Sequence, residues 1–343
     1  MTARPPQVAA ATATALLLCA LAALPGCPGS GGDDPPGATS TAAAPAEALA
    51  DADADADTDA DADADAGAAD AGVADAAAGA DAAASGALLG TSEGCPGDMV
   101  LVAGGYCPEA GQACLKHHEE FEHDQDRKKS KRDKGEEVGS STVSERCMEY
   151  KQPSRCLSKE RRPMRYCVDR YEWPNKRGEL PALLISWADA KKTCESVGKR
   201  LCTEDEFNFA CEGEEMLPYT YGYARDPSKC SIDKPYRKRQ RRLFKYERCM
   251  RDPRCKAELA RLDQRLPVGS LPQCVSPFGA YDMNGNMNEW VTRPGKKYPN
   301  RSGLKGGWWG PVRGRCRPTV GFHKEDDYGY EEGFRCCKDA EAP

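Results

Sequence analysis

The feature that most restricts the fold of this 343-residue chain is its set of 18 cysteines. Cys19 lies in an N-terminal apolar segment and Cys27 directly follows that segment, which leaves an even set of 16 in the remainder. A dense, even set of cysteines predicts a disulfide framework in an exported chain. Metal binding is the alternative, but the sequence has no Cys-x-x-Cys pair and only four histidines. We therefore expect most of these cysteines to be bridged.

The N terminus has the pattern of an export signal with a lipid attachment site. The apolar segment from Ala9 to Leu24 is short for a membrane span and typical of a signal peptide. Its end, LPGC, resembles a lipobox, in which the cysteine receives a diacylglycerol thioether. We predict that residues 1–26 are removed, that Cys27 anchors the protein to the membrane, and that Pro28 after it favours the outer membrane. The alternative is an ordinary signal peptide with a chance cysteine.

Residues 27–90 differ from the rest of the chain in charge and hydropathy. Residues 28–90 contain 14 acidic residues, no Lys or Arg and no aromatic residue, a composition that predicts a disordered linker. Arg4 is the only base before residue 91, so residues 91–343 hold 47 Lys and Arg against 40 Asp and Glu. That mild excess is typical of a soluble surface, and no nucleic-acid partner is expected.

The folded head, residues 91–343, begins with two predicted strands that flank a charged insertion. The strands are predicted from Cys95 to Gly105, where a glycine turn follows, and from Arg165 to Glu172. The insertion lies near residues 115–165 and is expected to be exposed. Cys147 and Cys156 are interpreted as stapling a loop within it.

A second charged insertion lies near residues 233–265. Its Arg-rich stretch from Tyr236 to Arg248 is interpreted as helical and solvated, and Cys249 and Cys255 are predicted to bridge beside it. An anionic ligand for this stretch is the alternative interpretation.

Two helices have clear start signals. Ser186 is a predicted N-cap for a helix from Trp187 to Val197, which Gly198 ends. Thr203 and Glu206 form a predicted capping box for a helix from Glu204 to Cys211. Three residues of the second helix recur at helical spacing and should face the core: Phe207, Ala210 and Cys211.

Seven short motifs of the head resemble, in order, those of the formylglycine-generating (sulfatase-modifying factor) family. They are ISWADA (185–190), KRLCTEDEF (199–207), YTYG (219–222), PVGS (267–270), FGAYDMNGNMNEW (278–290), KGGWW (305–309) and GFRC (333–336). The resemblance covers residues 95 to 338 and implies an α+β fold that is irregular, disulfide-rich and related to C-type lectin domains.

The resemblance also implies a calcium site on a tight turn. Oxygen donors around a turn suit Ca²⁺. The implied ligands are Asn284, Gly285, Asn286, Met287, through its backbone oxygen, and Glu289. The alternative is that the two asparagines serve only as turn residues.

Members of this family that are enzymes oxidise a substrate cysteine with copper(I) held by two cysteines five residues apart, and soft thiolates suit Cu(I). In this chain the first of those positions is Pro311. An ungapped alignment places Cys316 on the second position. A short gap instead places Cys316 in a structural bridge, so copper is not expected.

The gapped alignment implies two bridges shared with the family, Cys194 with Cys336 and Cys211 with Cys316. The sequence leaves open the partners of Cys95, Cys107, Cys114, Cys147, Cys156, Cys167, Cys202, Cys230, Cys274 and Cys337.

The function predicted on this basis is an exported, lipid-anchored, noncatalytic domain that binds an unidentified ligand or protein partner at the cell surface or in the periplasm. Trp308, Trp309, Arg313 and Arg315 would form its ligand groove, since aromatic and cationic side chains suit sugars or peptides. The alternative for both tryptophans is the core. Two rival functions are a copper-dependent oxidase that uses Cys316 and a structural envelope lipoprotein.

Overall fold

The computed structural model describes residues 94–139, 143–240 and 252–342. The predicted signal peptide, Cys27, the acidic linker, most of the Arg-rich stretch and Cys249 lie outside these residues. Among the helices described, none is long and apolar enough to span a membrane.

Within the described residues the strands are short and the helices few. The strands are β1 Met99–Tyr106, β2 Ala110–Gly111, β3 Cys114–His117, β4 Cys147–Tyr150, β5 Arg155–Cys156, β6 Arg162–Asp169, β7 Arg200–Leu201, β8 Asn288–Thr292, β9 Ser302–Lys305, β10 Glu332–Phe334 and β11 Cys336–Asp339. The helices are α1 Glu119–Asp133, α2 Trp187–Ser196, α3 Glu204–Glu212 and α4 Pro253–Leu262. This arrangement confirms the predicted α+β class with little regular secondary structure.

The central sheet has the order β1-β6-β11-β7. β1 and β6 pair antiparallel over eight residues each, and their buried side chains include Val102 and Val168. The two predicted strands are therefore present, but with shifted bounds. β1 runs through Gly104 and Gly105 rather than ending there, because both glycines stay in register with β6.

Helices α2 and α3 begin at their predicted residues. The Ser186 hydroxyl accepts from the amide of Asp189 at 3.1 Å. Thr203 and Glu206 form the predicted capping box, since each side chain accepts from the other residue's amide. The core-facing residues of α3 are buried, as their spacing predicts: Phe207, Ala210 and Cys211.

The first insertion contains one exposed helix and two small ladders. Helix α1 has one apolar side chain, Phe121, and the only residue it buries fully is Asp124. β3 pairs with β4, and β2 pairs with β5. The interpretation of Cys147 and Cys156 as a staple within the insertion is wrong, because these ladders place each of them beside an earlier cysteine: the bridges are Cys114–Cys147 and Cys107–Cys156.

The remaining bridges tie the elements together. Those implied by the resemblance are present, Cys194–Cys336 and Cys211–Cys316. The others are Cys95–Cys167, Cys202–Cys337 and Cys230–Cys274. Cys255 is also disulfide-bonded, and its predicted partner, Cys249, lies outside the described residues.

Candidate functional site

The segment that the resemblance matches to the copper-binding loop of the family's enzymes runs from Gly306 to Cys316 and begins where β9 ends. Gly306 and Gly307 have φ angles of 79° and 81°, in the left-handed region that favours glycine. A Cβ on Gly307 would lie 2.4 Å from the Cα of Gly314, so the loop folds back tightly on itself. Only glycine permits that approach.

The loop carries no free thiol. Pro311 stands where the resemblance places the first copper ligand. The sulfur of Cys316 is bonded to Cys211, and both residues are fully buried. All cysteines of the described ranges are disulfide-bonded. The described residues therefore present no thiolate for soft-metal chemistry at this loop.

Side chains and backbone from the insertions cover the loop. The amide of Arg313 donates to the Ser144 hydroxyl at 2.9 Å, and the amide of Lys234 donates to the Trp309 carbonyl at 2.8 Å. The buried Arg225 donates to the Val312 carbonyl at 2.7 Å. The loop is thus fixed from two directions by segments outside the family motifs.

The two tryptophans of the predicted groove differ in exposure. Trp309 is fully buried and packs with Leu184, Leu262, Met287 and Tyr330. Its indole N–H has no hydrogen-bond partner among the described residues. Trp308 is half-buried and stands edge-on to Trp309, with ring centroids 5.3 Å apart. A surface ligand could therefore contact Trp308, whereas Trp309 belongs to the core.

The two arginines of the predicted groove reach the surface differently. Arg313 is exposed. Arg315 is half-buried, donates to the Tyr150 hydroxyl and lies over the Tyr150 ring at 5.2 Å. Three of the four groove residues, Trp308, Arg313 and Arg315, therefore remain accessible.

The asparagines of the predicted calcium turn already accept hydrogen bonds from backbone amides. The side-chain oxygen of Asn284 accepts from the Thr220 amide at 2.7 Å. The side-chain oxygen of Asn286 accepts from the Leu266 amide at 2.9 Å. Both side chains are buried, so each oxygen serves to fix a neighbouring loop.

The carboxylate of Glu289 is engaged as well. Glu289 accepts from Arg335 through both oxygens, at 2.6 and 2.7 Å, and both side chains are buried. Gly285 has a φ of 79°, and the Met287 amide donates to Glu172 at 3.0 Å. No group of three or more His, Cys, Asp or Glu side chains in the described ranges is placed to hold a metal. The three side chains of the predicted set, Asn284, Asn286 and Glu289, are thus paired with protein groups, and the calcium site stays a prediction.

Two features of the region were not found by sequence reasoning. Lys305, directly before the paired glycines, is fully buried and donates to the Arg317 carbonyl at 2.6 Å and the Thr319 hydroxyl at 3.1 Å. Burial lowers the pKa of Lys305 to about 7. The KGGWW motif contains this lysine, but its burial is visible only in the packed structure.

The second feature is an open pocket of about 610 Å³ between residues 152–161 and 214–223. It includes the half-buried Tyr223, the buried Met216 and the exposed Glu215. No sequence signal could reveal it, because one wall belongs to an insertion whose course depends on its bridges.

Comparisons with known proteins agree with the motifs. The sulfatase-modifying factor enzyme 1-like domain matches residues 94–340. Two curated relatives, both named inactive C-alpha-formylglycine-generating enzyme 2, are 28% identical over 173 residues in Bos taurus and 29% identical over 175 residues in Mus musculus. Each alignment covers 48% of this chain and 52% or 51% of the relative, so the chain spans about half the length of these relatives.

Among solved structures, CarF is 15% identical with a TM-score of 0.42, over 72% of this chain and 99% of that chain. PvdO from Pseudomonas aeruginosa is 17% identical with a TM-score of 0.36, over 51% of this chain and 80% of that chain. The family match extends over more than half of the sequence and includes every motif described above. The chain belongs to the sulfatase-modifying factor enzyme 1-like domain family.

Proposed function

We propose that this protein is a noncatalytic member of its family that binds a ligand or protein partner after export to the cell envelope. The observation that carries the proposal is the state of the catalytic loop. Pro311 replaces one copper-binding thiol, and Cys316 is bonded to Cys211. The names of the two mammalian relatives, which call them inactive, are consistent with this proposal.

The proposed binding surface is the accessible face of the same loop. Trp308 offers a half-buried aromatic ring, Arg313 an exposed guanidinium and Arg315 a guanidinium fixed over Tyr150. An aromatic group beside cations can bind a sugar or a peptide through stacking and charge-assisted hydrogen bonds. The loop is held by its glycine packing and by the insertions, so little conformational entropy is lost on binding.

The loss of catalysis can be tested directly. The oxidised head, residues 91–343, is denatured without reductant and treated with iodoacetamide, and it is separately incubated with copper and a cysteine-containing peptide. We expect neither alkylation of Cys316 nor conversion of the peptide cysteine to formylglycine. A reactive Cys316 together with peptide oxidation would support the copper-dependent oxidase instead.

The binding role requires a separate measurement. The head is applied to arrays of bacterial envelope glycans and peptides, alongside Trp308→Ala and a control, Tyr298→Ala, that removes a 70% exposed aromatic ring elsewhere. We expect one class of spots to be lost with Trp308→Ala and kept with Tyr298→Ala. If both variants keep every spot, this face is not the binding surface.

A further inference from the structure

The outer edge of β1 is an open strand edge. β1 has the sequence MVLVAGGY and stands first in the central sheet, where β6 is its one partner among the described strands. It contains no charged residue and no proline, and its register with β6 is unbroken. Natural sheets usually protect such an edge with a charge, a proline, a bulge or a covering segment, because free N–H and C=O groups can pair with another chain.

Two contacts show which backbone groups of β1 point outward. The Arg170 amide donates to the Asp98 carbonyl at 3.3 Å, in register with the ladder, so the even-numbered residues of β1 bond to β6. Gly105 lies opposite Pro163, which has no N–H to donate. The odd-numbered residues therefore turn their amide and carbonyl groups away from β6, since bonded and non-bonded pairs alternate in an antiparallel ladder.

Two of these outward-facing residues are open. At the end of β1, the Gly105 amide donates to Glu214 at 2.6 Å, and the Gly105 carbonyl accepts from Arg161 at 2.9 Å. The outward amides and carbonyls of Leu101 and Ala103 have no such partner among the described residues. Ala103 is exposed and Leu101 is half-buried, so another chain can reach this stretch from the side.

The other edge strands that the structure describes are short, covered or irregular. β2, β5 and β7 have two residues each. In the second sheet, β9 exchanges two hydrogen bonds with Val320, and the Phe334 carbonyl of β10 accepts from the Trp173 amide at 2.8 Å. In the small ladder, β4 bonds to residues 223–225, and β3 has an irregular register and carries Lys116. The open edge of β1 is the exception, which marks it as an interaction surface.

We propose that β1 pairs antiparallel with β1 of a second copy of this chain, around a two-fold axis at Val102. In this register Leu101 of each copy lies opposite Ala103 of the other, and each such pair exchanges two N–H···O bonds. A two-fold interface must be self-complementary. Because β1 is uncharged, it brings no like charges together when it meets its own copy.

The ends of the open stretch also fit a second copy. In this register Gly105 of one copy lies opposite Met99 of the other, whose amide already donates to the Pro96 carbonyl at 2.9 Å. Pairing therefore stops where both strands are already bonded. The same register places the exposed Asp98 of one copy near the exposed Arg161 of the other, which have opposite charges. An unrelated extended peptide would gain the backbone bonds but not this match at both ends.

The test uses residues 28–343 in the oxidised state, which lack the proposed signal and lipid site. Sedimentation equilibrium from about 5 to 500 µM should show a weak, concentration-dependent dimer, as is typical of a small interface. Ala103→Lys should raise the dissociation constant at least about tenfold, because each copy then places a charge on the paired edge. The matched control, Ala188→Lys, adds the same charge at an exposed site in α2 and should dimerise as the wild type does.

Amide hydrogen exchange locates the interface without any substitution. Protection of the Leu101 and Ala103 amides should rise with protein concentration, whereas protection of the Val102 amide, which faces β6, should not change. A chain that stays monomeric over the whole range, or an Ala103→Lys variant that dimerises normally, would overturn the proposal. A dimer without added protection at Leu101 and Ala103 would also overturn it, because the interface would then lie elsewhere.

Discussion

Buried cations are held in two different ways at the residue scale. Arg335 is fully buried, and both oxygens of Glu289 balance its charge. Lys305 is equally buried, but it donates to a carbonyl and a hydroxyl and forms no ion pair within the described ranges. Desolvation without a direct counter-charge explains why the pKa of Lys305 falls to about 7.

Lys305 should make stability depend on pH. Its pKa of about 7 in the folded state lies below the ordinary value of 10.5, so between these values the unfolded chain binds more protons. The free energy of unfolding should therefore rise with pH, by about 2 kcal/mol between pH 7 and pH 9. Urea unfolding of Lys305→Met should lack this rise, whereas Lys297→Met, at an exposed site, should keep it. If the free energy of unfolding rose equally with pH in both variants, Lys305 would not be the source of the pH dependence.

Removing one partner of the Arg335–Glu289 ion pair should strongly lower the free energy of unfolding. Arg335→Leu leaves a buried carboxylate without its counter-charge, which typically costs about 3 to 5 kcal/mol. The double variant Arg335→Leu with Glu289→Leu should recover part of that loss, measured as the urea midpoint of the oxidised head. Recovery would be incomplete because Arg335 also donates to the Tyr281 carbonyl at 2.9 Å. If Arg335→Leu were as stable as the wild type, the Glu289 carboxylate would have to reach solvent in that variant.

At the scale of elements, helices α2 and α3 were predictable and the strands only partly so. Ser186 and Thr203 mark helix starts because each side chain accepts from an amide only three residues later. Such a signal can be read from a short stretch of sequence. β2, β5 and β7 are two residues long, and their pairing depends on partners far along the chain. Helix α1 was predicted only as an exposed charged insertion, because its polar surface gives no apolar periodicity.

The capping box of α3 should contribute measurably to stability. Thr203→Ala removes the hydroxyl that accepts from the Glu206 amide, at a cost of about 1 kcal/mol. That corresponds to a fall in Tm of about 2 to 4 °C for a domain of this size. Thr193→Ala, inside α2, removes a threonine that is not a cap and should leave Tm unchanged or slightly higher. Equal effects of both substitutions would exclude a capping role.

At the scale of the whole molecule, the family motifs were enough to predict the fold, but the arrangement of the candidate site was not predictable. The motifs located the loop from Gly306 to Cys316. They also showed that Pro311 stands where the resemblance implies a copper-binding cysteine. Motif order could not show that Trp309 is enclosed, because Leu262 of the second insertion packs against it. Nor could it reveal the pocket at Ser154, one wall of which is inserted sequence. Insertions therefore decide which loop residues remain accessible.

The proposed lipid anchor lies outside the described residues and can be tested in cells. Cys27→Ser removes the proposed attachment site. We expect the wild type to incorporate labelled palmitate and to sediment with the outer membrane, and the variant to lose the label and leave the membrane fraction. Cys19→Ser, inside the apolar segment, is the matched control and should behave as the wild type does. A variant that is still labelled would place the lipid elsewhere.

The last strand described, β11, lies between β6 and β7 and carries two adjacent cysteines. Cys336 and Cys337 bond to residues 142 and 135 positions earlier, Cys194 and Cys202. A chain that crosses a membrane N terminus first exposes those two earlier thiols to oxidants long before their partners arrive. Cys194 and Cys202 lie near each other in sequence, so oxidation in order of emergence would form a non-native bridge between them. If the chain is exported as proposed, its maturation should therefore depend on a disulfide isomerase that corrects early pairing.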